Sequence, residues 1–168
     1  SKFRQYRFEI DLPSEVDGKI IEAEDWWQSA IGSMGTSESF VLGDRSVVDS
    51  HQLGQIDDCH SVWWQVNLMP RGVSDRSFVT VGFANDATLT YMTKSVDGPE
   101  FNALVTPATF GSKSALVQGQ VLFYGFRIMP VTNGDGHHKG CKVVSFEHVD
   151  PLGDIPSMLT NLDSVGRG

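Results

Sequence analysis

The sequence predicts an α+β domain: one curved antiparallel β-sheet, with a helix inserted early and a second helix at the C-terminal end. Two observations carry this. Most of the chain reads as strand after strand separated by short Gly, Pro, Asn and Asp clusters, which implies antiparallel pairing of neighbours. Only two stretches have apolar residues at helical spacing, and the later one follows a strand with no more than a tight turn between them.

That junction is the most informative part of the chain. Segment 141–149, Cys141 to Val149, is rich in β-branched and aromatic residues and favours a strand. Asp150-Pro151-Leu152-Gly153 stops it: Pro151 cannot donate to a ladder, Gly153 accepts positive φ, and Asp150 can bond the turn backbone. Asp154 then supplies an N-cap acceptor, and Pro156 falls in the first helical turn, where a missing N–H costs little. Ile155, Met158, Leu159, Leu162 and Val165 give one apolar stripe, predicting a helix over 154–165.

At the other end, segment 3–12 alternates as a strand, with Phe3, Tyr6, Phe8, Ile10 and Leu12 as its apolar or aromatic positions. Pro13-Ser14 leads into 15–31, where Val16, Ile20, Ala23, Trp27, Ala30 and Ile31 predict a helix face, with Gly18 its weak point. Strands are then predicted over 40–49, 52–57, 61–69, 76–84, 88–96, 115–131 and 141–149. In 115–131 one face reads Val117, Gly119, Val121, Phe123, Gly125, Arg127, Met129 and the other Leu116, Gln118, Gln120, Leu122, Tyr124, Phe126, Ile128. Both faces are apolar near the middle, so neither suits full exposure. Periodicity alone leaves two options open, a face lining an internal cavity or a solid two-sided core.

Composition bounds the function. At 168 residues and 18.5 kDa the chain fits a single domain over 1–168, large enough to bury roughly 70% of its unfolded surface. Lys and Arg number 13 against 21 Asp and Glu, a formal net charge of −8. With no basic run, this argues against a nucleic-acid partner and against strong attraction to anionic membranes by charge alone. Cys59 and Cys141 are the only cysteines, so no disulfide framework is indicated and a reducing, cytoplasmic setting is expected. No apolar run is long enough to span a bilayer, and Ser1-Lys2-Phe3-Arg4-Gln5 does not read as a signal peptide.

Several short motifs, in order, resemble the StAR-related lipid-transfer (START) domains. Segment 141–161, CKVVSFEHVDPLGDIPSMLTN, is similar to that family's last strand, Asp-Pro-x-Gly turn and closing helix. Val73-Ser74-Asp75-Arg76-Ser77-Phe78-Val79 is similar to its Ser-x-Arg-Asp-Phe-Val signature, with Ser77 in place of Asp. Lys94-Ser95-Val96-Asp97-Gly98-Pro99 resembles its Ser-Val-x-x-Pro element and Val117-Gln118-Gly119-Gln120 its Val-Arg-Gly-Glu, while Trp26-Trp27-Gln28 stands at its Trp-Asp or Trp-Asn. The resemblance lacks the family's N-terminal helix and its full-length closing helix.

What the resemblance implies is a helix-grip fold: a curved antiparallel β-sheet wrapped around a C-terminal helix, enclosing a hydrophobic cavity that takes one lipid or other hydrophobic small molecule for transfer or sensing. No cofactor is expected, and transient membrane contact is a further expectation. Sterol-binding members pair an acid with an Arg inside the cavity, and the matching positions here are Gln65 and Gly82. The resemblance points Trp63, Gln65 and Asn67 inward, although simple alternation makes Val62, Trp64, Val66 and Leu68 the more apolar face. Following the resemblance, the same phase sends Phe78, Thr80, Tyr91, Thr93, Val121, Phe123, Val143 and Ser145 inward. Gln28, Gln65, Thr93 and Ser145 are the expected polar handles, with Arg127 a further candidate near a strand end, and Met158 and Leu162 of the closing helix should cover the ligand as a lid. Loop 97–113 is the alternative gate.

Two other classes compete. Related helix-grip cavities host cyclases and hydrolases, but alternation sends Glu147 and His148 to opposite faces, and no nucleophile elbow or phosphate loop is present. A ligand-free interaction module could instead fill the space with its four Trp and ten Phe. His137, His138 and Cys141 have no second spaced pair to complete a metal site, and their Gly-rich context reads as a hairpin tip.

Overall fold

The structure is a computed structural model that describes residues 5–32, 47–69, 71, 73–96, 98–99, 116–150 and 152. Strand β1 (Tyr6–Pro13) is followed by the short hairpin β2 (Glu15–Val16) and β3 (Lys19–Ile20), and then by helix α1 (Ala23–Gly32). The remaining elements are β4 (Val47–Gln55), β5 (His60–Asn67), β6 (Arg76–Asn85), β7 (Thr90–Ser95), β8 (Val117–Gln118), β9 (Gln120–Thr132) and β10 (His138–Asp150). They form an eight-stranded sheet in the order β1-β10-β9-β7-β6-β5-β4. Every neighbour along that path is antiparallel, while β8 lies parallel to the start of β6.

The predicted helix over 15–31 is corrected. Asp17 (φ 51°) and Gly18 (φ 77°) make the tight turn between β2 and β3, a conformation that an Asp-Gly pair readily adopts, so the helix starts only at Ala23. Its start is capped in reverse: the Glu22 amide donates to Asp25 Oδ2 at 3.0 Å. The expected 115–131 strand is likewise split at Gly119, whose amide donates to the Ser77 carbonyl at 2.8 Å. A Cβ there would lie 2.4 Å from Cε1 of the Phe78 ring, so the ring can lie over the backbone only because the residue is Gly. The expected break between 40–49 and 52–57 is absent within the described part, where β4 runs unbroken. Residues 40–46, nearly all of loop 97–113, and the predicted closing helix with Ile155, Met158, Leu159, Leu162 and Val165 lie outside the described residues.

Two apolar clusters hold the sheet, on opposite faces. Ala23, Trp27 and Ala30, at i, i+4 and i+7 of α1, pack against Leu89, Tyr91, Phe126, Ile128, Cys141 and Val143. Trp27 Nε1 also donates to Asp86 Oδ1 at 2.7 Å, fixing the helix to the β6–β7 turn. On the other face Val62, Trp64, Val66 and Val79 form the second cluster, with Leu53, Val81, Val96 and Leu116 packed around them. Both faces are therefore apolar, as the sequence requires, but they are sealed at different ends of the sheet. Cys59 is exposed and Cys141 buried, and both are free. Among the described residues no helix is long and apolar enough to cross a membrane.

Candidate functional site

Directly opposed residues of an antiparallel sheet share a face, so the register decides which predicted site residues meet. Gln65 opposes Phe78, Trp63 opposes Thr80, and Asn67 opposes Arg76. Thr93 opposes Gly82 and Tyr124, while Tyr91 opposes Ala84 and Phe126. Phe126 opposes Ser145, and Ile128 opposes Val143. Trp63, Gln65, Asn67, Phe78, Thr80, Tyr91, Thr93, Val143 and Ser145 thus lie on one face, the face on which α1 packs. Burial grades across it: Phe78, Thr80, Tyr91, Val143 and Ser145 are buried, whereas Trp63, Gln65, Asn67 and Thr93 are half-buried.

Along β5 and β7 the polar groups of this face are uncharged and joined in short links, while Arg76 of β6 and Glu147 of β10 are its charged members. Gln65 Nε2 donates to Asn67 Oδ1 at 3.0 Å, Trp63 Nε1 to Ser61 Oγ at 2.7 Å, and Thr93 Oγ1 to the Val81 carbonyl at 3.0 Å. Burial pushes the Tyr91 phenol up to about 12 against the opposing pull of a hydrogen bond with Thr93, so it stays a neutral hydroxyl at physiological pH. Tyr91 also explains Gly82. A Cβ at that position would lie 2.6 Å from the Tyr91 hydroxyl, so the phenol occupies the space where the resemblance expects an Arg. With Gln65 in place of the acid, the buried ion pair is replaced by hydrogen-bonding groups alone. Gly82→Ala is expected to displace Tyr91 and to lower unfolding free energy by about 1–3 kcal/mol, as overpacking does. Urea denaturation checks this, and an unchanged midpoint would mean that the phenol is not held there.

Three predicted site residues do not belong to this face. Gln28 is exposed: Trp27 is turned into the core, and the next residue lies about 100° further round the helix. Phe123 opposes His148 and is 41% exposed, and Arg127 opposes Thr90 and Val144 and is exposed. Both alternate with Tyr124, Phe126 and Ile128 and so point to the other side. Val121 is buried but lies beyond a register shift, where Phe123 opposes His148 and Val121 opposes Val149, and its amide donates to Ser95 Oγ at 2.8 Å. Met158 and Leu162 lie outside the described residues.

The sequence reading missed Tyr124 and Phe126. Phe126 packs 5.7 Å from the Tyr91 ring and 6.0 Å from Trp27, and Tyr124 meets Tyr91 edge-on at 6.5 Å. A signal was available: Arg127 is the only charged residue in β9, which argues that the odd-numbered positions of its middle face water.

Arg76 links two of the motifs in space. It is 2% exposed, and its guanidinium donates through Nη1 to the Ser74 carbonyl and through Nη2 to the Leu152 carbonyl at 3.0 Å. Leu152 sits at φ 50° in the turn after β10, and its amide donates to Asp150 Oδ1 at 2.9 Å. Leu152, just past β10, is thereby anchored to the start of β6, on the side of Asn67 and Phe78.

Glu147 opposes Tyr6 and Tyr124 while His148 opposes Phe123, so the two lie on opposite faces. Among the described residues no group of three or more His, Cys, Asp or Glu is placed to hold a metal ion. Asn133 Oδ1 accepts from the Asp135 and His137 amides in the hairpin turn, and His138 Nε2 lies 3.1 Å from the Ile21 carbonyl.

No protein-family model matches the chain, and no curated protein matches it in sequence. Solved structures do. Human STARD10 superposes with a TM-score of 0.62 at 17% identity, covering 95% of this chain and 56% of its own. Human StAR-related lipid transfer protein 5 superposes with a TM-score of 0.65 at 19% identity, covering 95% of this chain and 66% of its own. The chain thus spans less than two thirds of either protein. The Zhui aromatase/cyclase of a Streptomyces species also matches, with a TM-score of 0.52 at 9% identity over 90% of this chain and 71% of that one. A lipid transfer protein and an aromatase/cyclase therefore stand among the structural neighbours, and with its dominant antiparallel sheet and packed helix the chain has a START-like, helix-grip α+β fold.

Proposed function

We propose that the domain binds one lipid or other hydrophobic molecule against the α1-side face of the sheet, as a carrier or sensor and not as an enzyme. The grading of that face carries the reading. It is sealed under α1 and stays buried at Phe78 and Thr80 of β6, then becomes half-buried beside them, where aromatic Trp63 stands among Gln65, Asn67 and Thr93. A mostly apolar surface with a few convergent polar groups is what a small-molecule site needs. Because those groups are amides and hydroxyls, a ligand headgroup with hydroxyl, ester or amide functions fits better than a charged one. Segment 154–165, with Met158 and Leu162, is the proposed cover, and Met suits varied chain shapes. The two free cysteines support a reducing, cytoplasmic setting.

Native mass spectrometry of the purified protein, followed by denaturing extraction, tests the reading. A single co-purified apolar molecule at one per chain is expected, and Gln65→Leu should shift which molecules are retained. A chain that carries nothing and takes up no lipid from a mixed extract would leave an interaction platform as the better reading. Turnover of an extracted ester would instead favour the cyclase- or hydrolase-like alternative.

A further inference from the structure

Three hydroxyls converge on one row of the α1-side face. Ser61 of β5 opposes Gly82 of β6, and Gly82 opposes Thr93 of β7. Gly82 contributes no side chain, and the Tyr91 hydroxyl stands over it, 2.6 Å from where a Cβ would lie. Opposed residues carry Cβ atoms about 4.5–5.5 Å apart, so the hydroxyls of Ser61 and Tyr91 approach the same spot from two sides. Tyr91 is buried whereas Ser61, Trp63 and Thr93 are half-buried, which puts that spot where the face emerges from under α1.

Each hydroxyl carries one proton, and the bonds already made decide where it goes. Thr93 Oγ1 donates its proton to the Val81 carbonyl at 3.0 Å. In the bond between Tyr91 and Thr93 the phenol is therefore the donor. Only a phenolate would turn the Thr93 proton round, and burial keeps the phenol protonated. The chain from Tyr91 through Thr93 to Val81 thus spends the phenol's proton and leaves its oxygen as an acceptor. Ser61 is the reverse case. Its Oγ already accepts from Trp63 Nε1 at 2.7 Å, and among the described residues no hydrogen bond takes its proton. One donor and one acceptor therefore border the spot.

The geometry points to a subsite for a free hydroxyl: the ligand of this face is an apolar alcohol whose oxygen accepts from Ser61 and donates to Tyr91. This rests on the ligand-binding reading proposed above and narrows it. A single oxygen satisfies both sides only if it accepts and donates, which a hydroxyl does. An ether, ester or ketone oxygen accepts from Ser61 but gives Tyr91 nothing, and a protonated amine gives to Tyr91 but cannot accept from Ser61. A site built around a hydroxyl rejects the analogue without its proton strongly, because a buried polar atom is then left unpaired. Ser61 and Tyr91 are thus the residues that set specificity, and Thr93 acts through Tyr91 by fixing the direction of its proton.

Isothermal titration calorimetry of the full chain with dodecanol and with dodecyl methyl ether tests it. The wild-type protein should bind the alcohol at least about 10-fold more tightly than the ether. Tyr91→Phe removes the acceptor alone, so it should weaken the alcohol and bring the two affinities within about 2-fold of each other. Ser61→Ala removes the donor that both probes use, so it should weaken both and leave their ratio unchanged. Thr93→Val frees the phenol proton to turn towards the ligand, so the ether should gain on the alcohol; this variant carries the test if Tyr91→Phe does not fold. Binding of neither probe overturns the ligand-binding reading and the subsite with it. Equal binding of both by the wild-type protein, or an unchanged ratio in a folded Tyr91→Phe or Thr93→Val protein, overturns the subsite alone.

Discussion

Trp27→Ala is expected to lower the unfolding free energy by about 3–5 kcal/mol, the usual cost of emptying a large aromatic site in a core. Trp27 is 1% exposed and stands at the centre of the α1 contact, against Phe126 and the cluster of Tyr91, Ile128 and Val143. Its indole is also the partner of Asp86, so the truncation removes a polar anchor together with the packing. Trp27→Phe separates the two, keeping most of the apolar contact and losing the hydrogen bond, and should cost only about 1–2 kcal/mol. Urea titrations of both variants check the order. A loss below about 1 kcal/mol for the alanine variant would mean that α1 is not docked on the sheet as described.

Arg76→Met should cost about 2–4 kcal/mol, because it removes two part-buried hydrogen bonds made by a buried charged donor, a kind worth about 1.5–3 kcal/mol each, less what water returns to the two carbonyls. The loss should also be local. The Leu152 carbonyl is one of the two acceptors, so the turn after β10 should become the first place cut by limited proteolysis. Arg76→Lys tests the geometry, since one ammonium on a flexible stem cannot reproduce a guanidinium fork that reaches both Ser74 and Leu152. Full stability and full protease resistance in the lysine variant would show that charge alone, and not the fork, holds the turn.

The sheet was legible in the sequence because strands β5, β6, β7 and β10 are bounded by unmistakable turn residues, and their period-2 patterns survive in the register. The facing of Gln65, Phe78, Thr80, Tyr91 and Ser145 followed from motif resemblance, against the alternation of β5, whose most buried residues are Val62, Trp64 and Val66. Hydrophobicity alone misjudges this strand because its other face is covered as well. The failures have local causes. Helical spacing over Val16 and Ile20 hid an Asp-Gly hairpin, since two strands of two residues are too short to show a period. Strand β9 carries a register shift that alternation does not show, and exposed Arg127 marks its outer side, so Phe123 lies opposite to the side expected for it. Gln28 failed because a motif match locates a residue along a helix and not around it.

The pairing of β1 with β10 sets when this sheet can form. Tyr6 opposes Glu147 and Leu12 opposes Cys141, so the first strand finds its ladder partner only after nearly all of the sequence between them exists. During synthesis β1 and α1 leave the ribosome well before β7, β9 and β10, which supply the surface that α1 covers. The N-terminal part therefore has to wait as a soluble, unpaired segment, and alternating charges at Arg7, Glu9 and Asp11 make that wait safer by discouraging edge-to-edge association. Closing so long a loop is slow, so folding limited by the arrival and docking of β10 is expected, with chaperone dependence greatest for chains stopped short of it.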